Sequence, residues 1–262
     1  MGAGLSRVRL DVAYDGTGFS GWAVQPDRRT VAGVLLSALE TLGPSSGLVV
    51  AGRTDAGVHA TGQVCHVDVS APPSLRRLAA LLPGDVRVLA VTPVPDTFDA
   101  RFSALSRRYE YRVSDAPYGV QPLRRYDTLA WPRPLSLDAL NAASAPLCGE
   151  HDFAAYCRRK EHGTTRRALS RLAWRRNGHV LVATVEADAF CQAMVRSLVG
   201  ALLAVGDGRR AVDWPASLLS RTGRANEVGV VPPHGLTLVA VEYPAEAGYG
   251  ARAEATRRLR SG

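Results

Sequence analysis

Lysine is almost missing from this 262-residue chain: of its 32 basic residues, only Lys160 is not an arginine. Long apolar runs are missing as well. None approaches the roughly 20 residues that span a bilayer. The stretch Met1–Arg7 leads straight into a strand pattern with no apolar signal core. Met1-Gly2 with Ser6 fits a myristoylation pattern only on its surface, and nothing else points to an anchor. A cytoplasmic protein without a membrane partner is expected. Cysteine is sparse: Cys65, Cys148, Cys157 and Cys191 lie far apart with no Cys-x-x-Cys pair. They read as reduced, mostly buried thiols rather than a disulfide frame or a zinc site. Cys65-His66 near His59 is the one cluster that invites a metal. Strand alternation along residues 63–69 puts Cys65 and His66 on opposite faces, so no metal is expected.

What is present is a globular composition with 46% hydrophobic residues and a mean hydropathy of −0.04, enough chain for one large domain or two small ones. Net charge is +8 and the isoelectric point about 9.8, which suits a polyanionic partner. Arginine in place of lysine, beside abundant Ala and Gly, is also what a coding bias produces, so distribution is the better guide. Residues 101–180 carry 15 basic against 7 acidic groups, while residues 1–100 carry 8 against 9. A basic excess confined to the middle of the chain is what a footprint on phosphate predicts, a reading preferred to that of a solvated basic face.

Alternating patterns predict strands near 7–14, 62–69, 86–92, 107–113, 167–176, 179–187 and 235–243. Helical patterns fall near 30–42, 74–82, 136–147, 190–205 and 214–221, with Ser136 and Asp138 as a start signal. Asn177-Gly178 between two strands is a hairpin turn, which argues for antiparallel pairing and an α+β class rather than a doubly wound sheet. Both halves open on a strand followed by a helix. The expected organisation is an N-terminal α+β domain over 1–105, a second over 106–245, and a flexible Ala-, Gly- and Arg-rich tail over 246–262.

Residues 51–62 read Ala-Gly-Arg-Thr-Asp-Ala-Gly-Val-His-Ala-Thr-Gly. The strand-like Leu48-Val49-Val50 hands Arg53 and Asp55 to a loop of small residues that lets a bulky ligand approach the backbone. A tight turn in which Asp55 accepts backbone amides would use the same residues. The wording of the motif favours chemistry. It resembles the active-site signature of the tRNA pseudouridine synthase A (TruA-type) family. Other stretches follow in that family's order: residues 13–22, Leu82-Pro83-Gly84-Asp85, residues 98–103, Arg107-Arg108-Tyr109-Glu110-Tyr111, residues 149–153, Thr165-Arg166, Phe190, Met194-Val195-Arg196 and His234-Gly235-Leu236. Together they span about residues 8–244. Three positions depart from the family's usual wording: Ala23 after Gly21-Trp22, Ala79 in the helix before Leu82, and Asp188 ahead of Phe190.

The resemblance implies two RRM-like (ferredoxin-like) halves sharing a continuous, mostly antiparallel sheet with a central active-site cleft. It implies isomerisation of uridine to pseudouridine in the tRNA anticodon stem-loop, at positions 38, 39 and 40, by a homodimer that needs no cofactor. Asp55 matches the catalytic aspartate, as nucleophile or as base. Tyr109 matches the active-site tyrosine, whose ring can stack on an extruded uracil. Arg196, interrupting an apolar helical stretch, is the cation expected to keep a carboxylate ionised. Leu236 is expected to line the pocket, and Arg53 to contact RNA or help displace the base. Arg107 and Arg108 join Arg101, Arg158, Arg159, Lys160, Arg166 and Arg167 as phosphate contacts. Three rivals compete with this reading: an RNA-binding protein without catalysis, a synthase for another RNA, and a metal-dependent hydrolase using His59, Cys65 and His66.

Overall fold

A computed structural model describes residues 4–158 and 164–261. In chain order the elements are β1 (Ser6–Tyr14), α1 (Val31–Leu42), β2 (Ser45–Val50), β3 (His59–Val69), α2 (Leu75–Leu81), β4 (Val86–Pro93), β5 (Ser106–Ser114) and β6 (Leu129–Ala130). They continue with α3 (Leu137–Ser144), β7 (Gly149–Asp152), β8 (Arg166–Asn177), β9 (Val180–Ala187), α4 (Met194–Gly206), α5 (Trp214–Ser217), β10 (Leu236–Glu242) and α6 (Tyr249–Ser261). The class is α+β with mostly antiparallel pairing, as expected. Among the described residues no helix is long and apolar enough to cross a membrane.

The chain divides into two units, residues 1–107 with 238–262, and residues 108–237. Two expectations are corrected here. The second unit ends at Thr237 rather than at 245, because β10 returns the chain to the first unit within a single strand. The residues expected as a loose tail form α6. Tyr249 stacks on Phe98 at 4.9 Å, and Arg257 Nη2 donates to Asp99 Oδ2 at 2.8 Å, so the Ala- and Arg-rich segment gains one anchored face.

In the first unit the strand order is β4-β1-β3-β10, with β2 also on β3. β1 alternates strictly, burying Val8, Leu10, Val12 and Tyr14. Each aliphatic side chain so buried contributes about 1.5–3 kcal/mol. The Thr30 side chain caps α1 by accepting from Gly33 N at 3.2 Å, and α1 buries Val31, Leu35 and Leu39. In the second unit the order is β5-β9-β8-β7, with the two-residue β6 parallel to β5. β8 and β9 form the hairpin that Asn177-Gly178 announced, with Gly178 at φ +58. Ser136 caps α3 through Ala139 N.

The cysteine reading is also corrected. Cys157 and Cys191 are joined as a disulfide with Cα atoms 5.7 Å apart, whereas Cys65 and Cys148 are free. Their separation of 34 residues hid the pair. What joins them is folding: Arg158 N donates to Gln192 O at 3.0 Å, drawing the two segments together.

Candidate active site

The Asp55 loop links β2 to β3 and consists almost wholly of small residues. With so little side-chain mass it cannot be held by its own packing, and its backbone polar groups are taken up by neighbouring segments. Ala51 N donates to Val64 O at 2.8 Å. Ala51 O accepts from Arg107 Nη2 at 2.8 Å, and Gly52 O accepts from Gln63 Nε2 at 2.9 Å. Thr54 O accepts from Trp22 N at 3.1 Å, and Thr54 Oγ1 shares a 2.8 Å hydrogen bond with the Tyr14 hydroxyl. Val58 N closes a turn onto Asp55 O at 3.2 Å. The segment 15–22 packs against this loop so closely that a Cβ on Gly21, at φ +96, would lie 2.9 Å from Thr54 O. Only glycine meets both conditions. Asp55 is half-buried, and Arg53, two residues before it, is exposed.

Arg107 was expected at the RNA surface, and the structure moves it inside. It is 6% exposed, and its Nη2 bridges Ala51 O and Arg101 O at 2.8 and 2.7 Å. The cause is strand alternation: in β5, Arg107, Tyr109, Tyr111 and Val113 take the buried positions. Arg108 faces the other way, with Nη1 3.8 Å from Glu186 Oε2.

In the second unit, Tyr109 meets Phe190 edge to face with centroids 5.2 Å apart. Arg196 stands in the first turn of α4, and its Nε donates to Val231 O at 2.7 Å. Tyr111 donates its hydroxyl to Pro232 O at 2.8 Å, and its ring lies so close to Gly235 that a Cβ there would fall 2.6 Å from Cζ. Arg196 and Tyr111 thus fix the turn that delivers the buried Leu236 to the start of β10. Sequence reasoning missed Gln63 and Tyr14 beside the Asp55 loop. The available signal was a polar group on the buried face of an otherwise apolar strand.

Among the phosphate candidates, Arg101, Arg158 and Arg166 are exposed, with Arg166 3.4 Å from Glu150. Arg167 is half-buried, and that burial lowers its pKa. Arg159 and Lys160 lie outside the described residues. Asp188 uses its carboxylate to accept from Ala168 N at 3.0 Å, a bond that an Asn carbonyl would also make. Ala79 is exposed.

The metal cluster is taken apart by hydrogen bonding. His59 Nδ1 accepts from Gly16 N at 2.9 Å, and His66 Nδ1 accepts from Ala100 N at 3.0 Å. Burial of the His66 ring pushes its pKa down to about 4, aided by the nearby Arg7 charge. The Cys65 thiol is fully buried, which raises its pKa. Among the described residues no group of three or more His, Cys, Asp or Glu is placed to hold a metal ion.

Comparison with known proteins accords with this arrangement. A family model described as "tRNA pseudouridine synthase" matches residues 143–244, which include Arg196 and Leu236. The tRNA pseudouridine synthase A of Frankia casuarinae is 58% identical over 99% of this chain and 97% of its own length. The proteins of that name from Streptomyces griseus and Mycobacterium leprae are 55% and 50% identical, covering 98% and 97% of this chain and 95% and 96% of theirs. Similarity of this extent reaches every segment described above, the Asp55 loop included. The chain belongs to the tRNA pseudouridine synthase A family, isomerases that turn tRNA uridine into pseudouridine.

Proposed function

We propose that the protein isomerises uridine to pseudouridine at positions 38, 39 and 40 of the tRNA anticodon stem-loop, with Asp55 as its catalytic carboxylate. The observation that carries this reading is the Asp55 loop, where the backbone is tied down on both sides of an ionisable side chain. Pre-organisation of this kind is what a reacting group requires. In the reaction the C1′–N1 bond breaks, the uracil turns, and C1′ bonds to C5. C5 gives up its proton and N1 takes one up, so the atoms balance with no co-reactant. Asp55 acts as a nucleophile at C1′ or as a base at C2′. Deuterium at C2′ gives a primary isotope effect only on the second route.

Tyr109 offers its ring to the extruded uracil and its hydroxyl to the C5 proton. Arg196 is the cation of the reaction, and Leu236 lines the base pocket. Arg53 contacts the RNA backbone and helps displace the base. The exposed Arg101, Arg158 and Arg166, with Arg108, supply phosphate contacts. The enzyme works in the cytoplasm as a homodimer, which light scattering of the purified protein checks. The test of function is carbodiimide mapping with reverse-transcription stops on unmodified tRNA, run with chelator present and beside Asp55→Ala. Stops at positions 38–40 that vanish in the variant support the reading. Binding without stops in either protein leaves an RNA-binding role instead.

A further inference from the structure

The two carbonyls that lead into the catalytic loop, those of Ala51 and Gly52, are each held by a buried side chain from a distant part of the sequence. Arg107 takes the first and Gln63 the second. Neither side chain suits its position on grounds of packing alone. Gln63 is fully buried in β3 among Val64, Cys65 and Val67, and Arg107 puts a guanidinium charge inside the first unit. Burying such groups is costly unless their hydrogen bonds are made. Here they are made to the loop.

Gln63 Oε1 accepts from Val64 N at 3.1 Å, which orients the amide so that Nε2 donates to Gly52 O at 2.9 Å and to Tyr14 Oη at 3.2 Å. Tyr14 is in turn bonded to Thr54 Oγ1 at 2.8 Å. Gln63 therefore grips the loop on both sides of Arg53, directly at Gly52 and through Tyr14 at Thr54, the residue before Asp55. Arg107 adds a bridge from Ala51 O to Arg101 O. We propose that Gln63, with Tyr14, and Arg107 are positioning residues for uridine isomerisation: they fix the peptide units that carry Asp55, and Arg107 does not contact RNA. This rests on the reading of Asp55 as the catalytic carboxylate.

The experiment compares wild-type protein with Gln63→Met, Tyr14→Phe, Arg107→Met and Asp55→Ala. For each, the thermal midpoint, the tRNA Kd across a salt series, and the single-turnover rate at saturating tRNA are measured. The rate is followed by tritium release from tRNA labelled at uridine C5. Gln63→Met and Arg107→Met, still folded at the assay temperature, are expected to lose roughly 10- to 100-fold in saturated rate, the cost of a small misplacement. Tyr14→Phe loses less, in the same direction. For all three, Kd and its salt slope stay at the wild-type values. An Arg107→Met protein with a normal saturated rate, weaker binding and a salt slope reduced by about 1 would make Arg107 a phosphate contact and overturn its assignment. A wild-type rate in Gln63→Met would overturn the proposal for Gln63. If Arg107→Met does not fold, the other two variants carry the test. Asp55→Ala separates the two levels of the argument. Activity there defeats the Asp55 reading itself, whereas an inactive Asp55→Ala beside fully active positioning variants defeats only this inference.

Discussion

Around Asp55 the chain is held by hydrogen bonds: Arg107, Gln63, Trp22 and Tyr14 each take a polar group of residues 51–54. Around Tyr109 and Leu236 side-chain volume shares that work with the Arg196 and Tyr111 hydrogen bonds to Val231 O and Pro232 O. Phe190 abuts the Tyr109 ring, Tyr111 fills the space beside Gly235, and the apolar face of α4 buries Leu198, Val199 and Leu202. The difference follows from composition. Most of residues 51–57 carry small side chains, so their geometry leans on directional bonds, while in the second unit the candidate residues Tyr109 and Leu236 stand beside large aromatic rings. The first region should respond to loss of single atoms, and the second to changes of size.

That contrast can be tested at several points. The largest effect is expected for Arg196→Met, which keeps much of the volume and removes the charge. Single-turnover rate should fall by roughly 100- to 1,000-fold, as for loss of one electrostatic group at a reacting centre, with little change in thermal midpoint. A collapse of the fold instead would mean that Arg196 serves chiefly to hold Val231. Next comes a pair of glycine variants. Gly21→Ala strains φ +96 and drives a methyl to 2.9 Å from Thr54 O, so stability should fall by roughly 1–3 kcal/mol and activity with it. Gly178→Ala, at φ +58 with open space around it, should lose less stability and keep full activity. Equal losses of activity would show that the Asp55 loop is not specially sensitive.

The smallest effect concerns pH. His66 has a folded pKa of about 4 against an ordinary 6.5, so the unfolded chain binds its proton first as pH falls. Its contribution is therefore complete above pH 6.5 and is lost progressively towards pH 4. The loss should be on the order of 1 kcal/mol between pH 7 and 5.5. Thermal melts should show it, and His66→Gln should flatten that part of the profile.

Much of this was legible in the residues. β1, β4, β8, β9 and β10 alternate or carry clear turns, and Ser136 marks a true helix start. The elements that escaped notice lack such signals. β7 is a polar edge strand of four residues, β6 has two, and α6 is held by contacts to Phe98, Asp99, Ser103 and Ala104 rather than by an apolar stripe. At the site, the motif identified Asp55, Tyr109 and Arg196 as candidates, but not what supports them. Arg107 shows why. As a letter it reads as a surface cation, and only its alternation with Tyr109 and Tyr111 hinted that it points inward. The Cys157–Cys191 pair had no local signature at all.

The most direct test of the central claim is single-turnover tritium release from C5-labelled tRNA by Asp55→Asn beside the wild type. The substitution keeps the size of the side chain and removes its charge. Release at background from a folded variant that still binds tRNA is the predicted result. Release within a few-fold of wild type would contradict the assignment of Asp55 as the catalytic carboxylate.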